Sequence, residues 1–155
     1  MNRSKLDATD LKILRLLQQD AELSMQQLAE KVGLSHTPCW RRYIRLKKEG
    51  VLLGKVARVD GKKLGKDVYV TCRVGLEKHD EKTLAAFERA VLSFPEILVC
   101  FAVAGRKDYV LLVAVSHSEE YDQFLRTSLL HLPGVATIET SFAIRTVKLS
   151  LALPI

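Results

Sequence analysis

The sequence predicts an α+β protein of two domains. A winged helix-turn-helix is expected over residues 1–60, a linker over 61–67 and a ferredoxin-like βαββαβ domain over 68–155. The first part of the chain has three segments with apolar residues at helical spacing, and beyond residue 67 helical and strand-like periods alternate in the order β-α-β-β-α-β. A composition that is 48% hydrophobic and 27% charged is sufficient for a buried core.

The first two helices have recognisable starts. Asp7 is a suitable N-cap for a helix that continues to about residue 20. In the second helix, Ser24 and Gln27 have the spacing of a capping box, in which each side chain accepts from the other residue's backbone N–H. Gly33 ends this helix after about two turns.

The third helix, capped by Ser35 and running to residue 49, has two different faces. Cys39, Tyr43 and Leu46 recur at i, i+4 and i+7, and we expect them to pack inward. The other side carries Thr37, Arg41, Arg45 and Lys48. The segment 51–60 that follows is β-prone and predicts a short wing strand.

Positive charge is concentrated in this N-terminal part. Residues 1–60 contain 12 Lys and Arg against 7 Asp and Glu, whereas the remaining residues contain 12 against 11. A single basic helix would indicate only a solvated surface, but a short capped helix, a glycine turn and a longer basic helix together indicate DNA binding.

The DNA-binding residues follow from the position of each side chain on the third helix. We predict base contacts from His36, Thr37 and Arg41. We predict phosphate contacts from Arg42, Arg45, Lys47 and Lys55, and the backbone N–H groups that follow Ser35 also favour phosphate. Trp40 either covers the helix-turn-helix core or lies against the sugar-phosphate backbone.

The C-terminal part predicts strands over 68–76, 96–104, 109–115 and 135–149, and helices over 80–94 and 118–132, with Ser118 as a cap. Two helices can cover only one face of such a sheet. The segments 97–103 and 109–115 are apolar throughout, which indicates burial on both faces. We therefore predict a homodimer through the uncovered face, because a large exposed apolar surface is unusual in a soluble protein.

Several other classes of protein are disfavoured. Cys39, Cys72 and Cys100 are far apart without a CxxC pair, so neither zinc binding nor a disulfide framework is indicated. The four histidines have neither metal-ligand spacing nor a neighbouring nucleophile pattern, and we expect no catalytic residues, no metal and no cofactor. The polar N-terminus and the short apolar stretches predict a reduced, cytoplasmic protein that does not cross a membrane.

Taken in order, the motifs resemble those of the Lrp/AsnC family of transcription regulators over almost the whole chain. The N-terminal motifs are Leu6-Asp7-x-x-Asp10-x-x-Ile13-Leu14, Leu28-Ala29-x-x-Val32-Gly33-Leu34-Ser35 and Arg42-x-x-x-Leu46-x-x-x-Gly50-Val51-Leu52. The C-terminal motifs are Gly105-x-x-Asp108-Tyr109 and Leu132-Pro133-Gly134-Val135. Thr37-Pro38-Cys39-Trp40 and Ser141-Phe142-Ala143 resemble a branch that includes regulators of cysteine or branched-chain amino-acid catabolism.

The resemblance implies a sequence-specific regulator that binds double-stranded DNA in the bacterial nucleoid, forms dimers that assemble into octamers, and binds an amino-acid effector between subunits. It places the effector at Gly105, Arg106, Lys107, Asp108 and Tyr109, with Thr140, Ser141 and Phe142 contributed by a neighbouring subunit. The effector's identity is open, and the two cations of the turn leave open a more acidic ligand or none.

Two interpretations of the turn remain open. Asp108 can accept from the ammonium of an amino acid while exposed N–H groups hold its carboxylate. The same residues also suit a plain hairpin, with a positive φ at Gly105 and an Asx turn at Asp108. A ligand-free architectural DNA-packing protein shares the same fold and charge and is the alternative function.

Overall fold

The computed structural model describes residues 6–155 and divides the chain into two compact units. The first unit contains the chain up to Arg58 together with Leu149–Ile155, and the second contains Val59–Lys148. The sequence predicts one C-terminal domain over 68–155, whereas residues 149–155 belong to the first unit.

The three predicted N-terminal helices are present. They are α1 (Ala8–Gln19), α2 (Met25–Val32) and α3 (His36–Lys48). Ser24 Oγ accepts from the Gln27 N–H at 3.2 Å, and Gln27 Oε1 accepts from the Ser24 N–H at 2.9 Å, which confirms the capping box at the start of α2. Asp7 caps α1 in the same reciprocal manner with Asp10.

The core of the first unit joins all three helices. Ile13 of α1, Leu28 of α2, and Cys39 and Leu46 of α3 are fully buried in one cluster. Gly33 ends α2 in the left-handed conformation, with φ +79°. These contacts fix one side of α3 against the other two helices and leave its opposite side exposed.

The predicted wing strand is wrong, because residues 51–60 contain no strand. Leu53 and Val56 lie in solvent, with 92% and 86% of their surface exposed. Residues with β propensity form a strand only where a second backbone segment pairs with their N–H and C=O groups. Within residues 6–155, no strand pairs with this segment.

Residues 149–155 contact α1. The Gln18 amide donates to the Leu153 carbonyl oxygen at 3.2 Å, and its Oε1 accepts from the Leu153 N–H at 2.6 Å. Arg15 donates to the carbonyl oxygen of Ile155. The first unit is therefore assembled from two segments of chain that the second unit separates.

The second unit has the predicted βαββαβ order. Its elements are β1 (Val68–Leu76), α4 (Glu81–Val91), β2 (Ile97–Ala102), β3 (Tyr109–Val115), α5 (Ser118–Thr127), a 3-10 turn (Leu129–His131) and β4 (Val135–Phe142). The strands form an antiparallel sheet in the order β2-β3-β1-β4. Alternate residues of β1 and β3, including Val74 and Leu111, are fully buried with Phe87 of α4 and Tyr121 of α5. Both helices therefore cover the same face of the sheet.

The last strand is shorter than predicted, because β4 ends at Phe142 rather than at residue 149. β4 is an edge strand whose neighbour in the sheet is β1. The Ala143 N–H still donates to the Tyr69 carbonyl oxygen at 2.9 Å, but β1 begins at Val68 and offers no further partner. Within residues 6–155, the β-prone residues beyond this point therefore have no strand with which to pair.

The second helix of this unit also begins differently from the prediction. His117, rather than Ser118, is the N-cap of α5, and its Nδ1 accepts from the Glu120 N–H at 3.1 Å. None of the helices within residues 6–155 is both long and apolar enough to cross a membrane.

Candidate nucleic-acid interface and effector site

The outer side of α3 presents a continuous exposed stripe. Its members recur at i, i+4, i+7 and i+11 and are Thr37, Arg41, Ile44 and Lys48. Because Cys39 and Leu46 hold the opposite side of the helix in the core, this stripe faces away from the unit. Ile44 was not among the predicted contacts, although its helical spacing from Thr37 is a signal that identifies it.

Aromatic and basic side chains flank this stripe on one side. Trp40 is 45% exposed, and its ring stacks on Tyr43 with 5.8 Å between centroids, so it does not fill the core. The Lys47 ammonium lies 6.0 Å from the Tyr43 ring centroid. Ser35, His36 and Lys55 are exposed, as binding to DNA would require.

The other flank of α3 is tied to α1 by ion pairs. Arg42 Nη1 lies 2.6 Å from Asp7 Oδ2 and 2.8 Å from Asp10 Oδ1, and Arg45 Nη2 contacts Asp10 Oδ2. Burial opposes ionisation of Asp10, but the hydrogen bonds it accepts outweigh burial and lower its pKa below 3.8. The predicted phosphate contacts of Arg42 and Arg45 must therefore compete with these carboxylates.

The turn between β2 and β3 is closed by hydrogen bonds of Asp108. The Val103 N–H donates to the Asp108 carbonyl oxygen at 2.9 Å, and Gly105 has φ +151°. The Asp108 carboxylate accepts from the Leu76 N–H at 2.7 Å and lies 2.8 Å from His79 Nε2, contacts that lower its pKa. Both carboxylate oxygens of Asp108 thus already have a hydrogen-bond partner within the chain. The ammonium group of an effector would have to share them with these partners. The carboxylate bonds β1 instead of forming the expected Asx turn.

Lys107 connects this turn to the edge strand. Its Nζ lies 2.7 Å from Thr137 Oγ1 and 3.0 Å from Glu139 Oε1, and this contact lowers the pKa of Glu139. A Cβ at Gly75 would lie 2.7 Å from Thr137 Oγ1 and 3.4 Å from Lys107 Cδ. Glycine at this position of β1 therefore allows Lys107 to cross the strand, while Arg106 stays exposed.

Tyr109 belongs to the core rather than to the surface of the turn. It is 2% exposed, its ring centroid lies 4.5 Å from that of Phe87, and its hydroxyl donates to Glu88 Oε1 at 2.9 Å. Burial, reinforced by Glu88, raises the pKa of Tyr109 to about 12. The ring and hydroxyl of Tyr109 thus have structural contacts, and its predicted effector contact stays a prediction.

The three predicted residues of β4 lie on different faces of the sheet. Thr140 Oγ1 lies 2.6 Å from the Tyr121 hydroxyl, and the Phe142 ring packs edge-on against the Tyr121 ring at 5.3 Å, so both lie on the helix side. Ser141 lies on the opposite face because side chains alternate along a strand. Along β1, Cys72 pairs with Thr140 of β4, whereas Val74 pairs with Tyr109, the first residue of β3 after the predicted effector turn. One chain therefore does not bring all eight predicted effector residues into a single pocket.

Comparison with known proteins gives a consistent picture. Residues 6–47 match the model of the AsnC-type helix-turn-helix domain, and residues 69–153 match that of the Lrp/AsnC ligand binding domain. The chain is 42% identical over 152 residues to the Bkd operon transcriptional regulator of Pseudomonas aeruginosa, covering 98% of this chain and 99% of the relative. It is 39% identical over 150 residues to the DNA-binding transcriptional activator DecR of Escherichia coli K12, covering 97% and 99%.

Solved structures show the same arrangement of elements. A transcriptional regulator from Neisseria meningitidis, crystallised as a complex with L-Met, has a TM-score of 0.90 at 32% identity and covers 96% of each chain. An AsnC family transcriptional regulator from Agrobacterium tumefaciens has a TM-score of 0.91 at 35% identity and covers 96% of this chain and 97% of its own.

Proposed function

This chain belongs to the Lrp/AsnC family of transcription regulators, and from that premise we propose that it recognises specific DNA sequences and is modulated by a small amino-acid effector bound between subunits. The observation that carries the proposal is the exposed stripe on α3, whose reverse side is held in the core of its unit. Such a helix can enter a major groove without losing the packing that fixes its orientation.

Within this stripe, Arg41 and Thr37 have the best positions for reading bases. An arginine can donate two hydrogen bonds to guanine, and a threonine can pack its methyl group against thymine. Lys47 and Lys55 are exposed and suited to phosphate, and the first turn of α3, which follows Ser35 and includes His36, offers backbone N–H groups.

A binding series tests this assignment. Arg41→Ala is expected to weaken binding to the target promoter by about 10- to 100-fold and to relax sequence preference, as loss of a bidentate base contact does. Lys12→Ala removes the same charge from the exposed surface of α1 and is the matched control. Fluorescence anisotropy with promoter and scrambled DNA measures both. No preference of the unaltered protein for the promoter would contradict sequence-specific recognition.

The uncovered face of the sheet supports the proposed homodimer, on which assembly into octamers would build. Its exposed apolar side chains include Phe101, which pairs with Val110 and has 62% of its surface accessible. Phe101→Glu is expected to convert the protein to monomers in sedimentation velocity, because a buried unpaired charge is costly. Leu92→Glu, on the helical side, is the control. A Phe101→Glu variant that sediments like the unaltered protein would exclude this interface.

For the effector, the polar end of the same face supports an amino-acid ligand shared by two copies. Lys107 and Glu139 present opposite charges there, with Arg106 beside them, and an amino acid carries both complementary groups. The L-Met complex of the Neisseria relative supports this class of ligand. A thermal-shift series with all twenty amino acids tests it, because a ligand of the folded state stabilises by mass action. No shift at millimolar concentration would favour the ligand-free architectural function.

A further inference from the structure

Asp10 of α1 is the one charged residue that is fully buried within residues 6–155. Its carboxylate accepts from Arg42, from Arg45 and, at 3.2 Å, from the Asp7 N–H. The arginine side chains are themselves 31% and 43% exposed, so the acid is the buried partner of the cluster.

Asp7 completes the neutralisation of this flank. Its carboxylate, 51% exposed, lies 2.6 Å from Arg42 Nη1. Asp7, the N-cap of α1, and Asp10 thus face two of the five cations of α3. The charges of α3 are thus divided among this neutralised flank, Lys47 beside Tyr43, and the outer stripe, where Arg41 and Lys48 form no ion pair within the described chain.

A buried ion pair is weak evidence of stabilisation, because the cost of removing two charges from water offsets their attraction. The orientation of the pair has a clearer consequence. A guanidinium held by a carboxylate is turned towards α1 and has its charge balanced, so it attracts DNA phosphate less strongly than a free one. Sequence-independent affinity depends on the number of phosphates that free cations neutralise.

We propose that Asp7 and Asp10 are positioning residues that hold Arg42 and Arg45 away from the DNA backbone, so that contacts from the outer stripe dominate binding. This inference rests on the proposed DNA-binding function. In this role, the two acids increase the ratio of specific to non-specific DNA affinity. Arg42, which was expected to contact phosphate, would instead position α3.

Asp7→Asn is the principal test, because Asp7 is half exposed and its amide form can still accept the capping hydrogen bond. The plot of log affinity against log salt concentration is expected to steepen by up to about 0.9, as one additional phosphate contact requires. Affinity for scrambled DNA is expected to rise more than affinity for the promoter. Asp20→Asn, which makes the same charge change at the exposed end of α1, is the matched control.

Arg42→Gln provides a second measurement. If Asp7 and Asp10 hold Arg42, its loss leaves the salt slope unchanged, whereas loss of a phosphate contact lowers the slope by about 0.9. A lowered slope for Arg42→Gln, or equal slopes and specificity ratios for Asp7→Asn and Asp20→Asn, would overturn the inference. Failure of the proposed function is distinguishable, because the unaltered protein would then show no preference for the promoter.

Discussion

Gly134 lies in the turn before β4. Its replacement by alanine should lower the free energy of unfolding for two separate reasons, one conformational and one steric. Its φ is +73°, and an added Cβ would lie 2.3 Å from Thr83 Cγ2. A left-handed conformation costs a residue with a Cβ about 1–2 kcal/mol. The contact is also more than about 1 Å closer than carbon atoms normally approach.

Thr83 cannot move away without further loss. Its hydroxyl donates to Asp80 Oδ2 at 2.8 Å and its N–H to Asp80 Oδ1 at 2.9 Å, which caps α4. A rotamer change of Thr83 that relieved the contact would break the hydroxyl bond and cost about 1 kcal/mol. We therefore expect Gly134→Ala to lower the free energy of unfolding of the second unit by about 2–3 kcal/mol.

Two further variants separate these contributions. Gly65→Ala lies in the same unit, has φ +64° and meets no atom within 4 Å, so it is expected to lose only about 1–2 kcal/mol. Thr83→Ser removes Cγ2 but keeps the hydroxyl, and it is expected to recover the steric part when combined with Gly134→Ala. Urea unfolding is followed by far-UV circular dichroism, which reports both units, and by the fluorescence of Trp40, which lies in the first unit; the comparison identifies the transition of the second unit. Equal losses for the two glycine variants, without recovery by Thr83→Ser, would refute the steric argument.

Two other predictions concern capping and pH. Ser24→Ala is expected to lower the stability of the first unit by about 1 kcal/mol, because the Ser24 hydroxyl accepts a hydrogen bond from the Gln27 N–H. Ser35→Ala is expected to cost less, because this N-cap has no side-chain capping bond in the described chain. Equal losses of stability in urea titrations would contradict this. The Lys66 ammonium and the Ser116 N–H lower the pKa of Glu120 from 4.5 to about 2. Its contribution to stability is therefore full above pH 4.5 and lost as pH falls towards 2, so the stability difference between the unaltered protein and Glu120→Gln should shrink over that range; a constant difference would contradict the assignment.

Local patterns were sufficient to predict most of the fold. The capping box of Ser24, the glycine that ends α2, and the bounds of β1 and β3 depend on residues close together in sequence. The end of β4 does not, because it depends on where the neighbouring strand begins. The prediction of a wing strand was wrong for the same reason, because β propensity does not reveal whether a pairing partner exists.

The candidate sites were predicted less completely, because tertiary contacts decide what a polar side chain can do. Arg42 and Arg45 were identified by their charge, but the acid that binds both is Asp10, more than thirty residues earlier. Tyr109 directly follows the turn that was predicted to bind an effector, yet strand alternation directs its side chain into the core. In contrast, the exposed side of α3 was predictable from helical periodicity, because that side is defined by its own buried residues.

The contact between residues 149–155 and α1 has a consequence for the order of events during synthesis. The three helices leave the ribosome before the sheet and can pack while the sheet is still being made, but the hydrogen bonds of Gln18 to Leu153 must wait until the whole sheet has been synthesised. A fragment that stops at residue 58 therefore lacks part of the helical unit, and a trypsin cut after the exposed Arg145 would detach that part from the sheet.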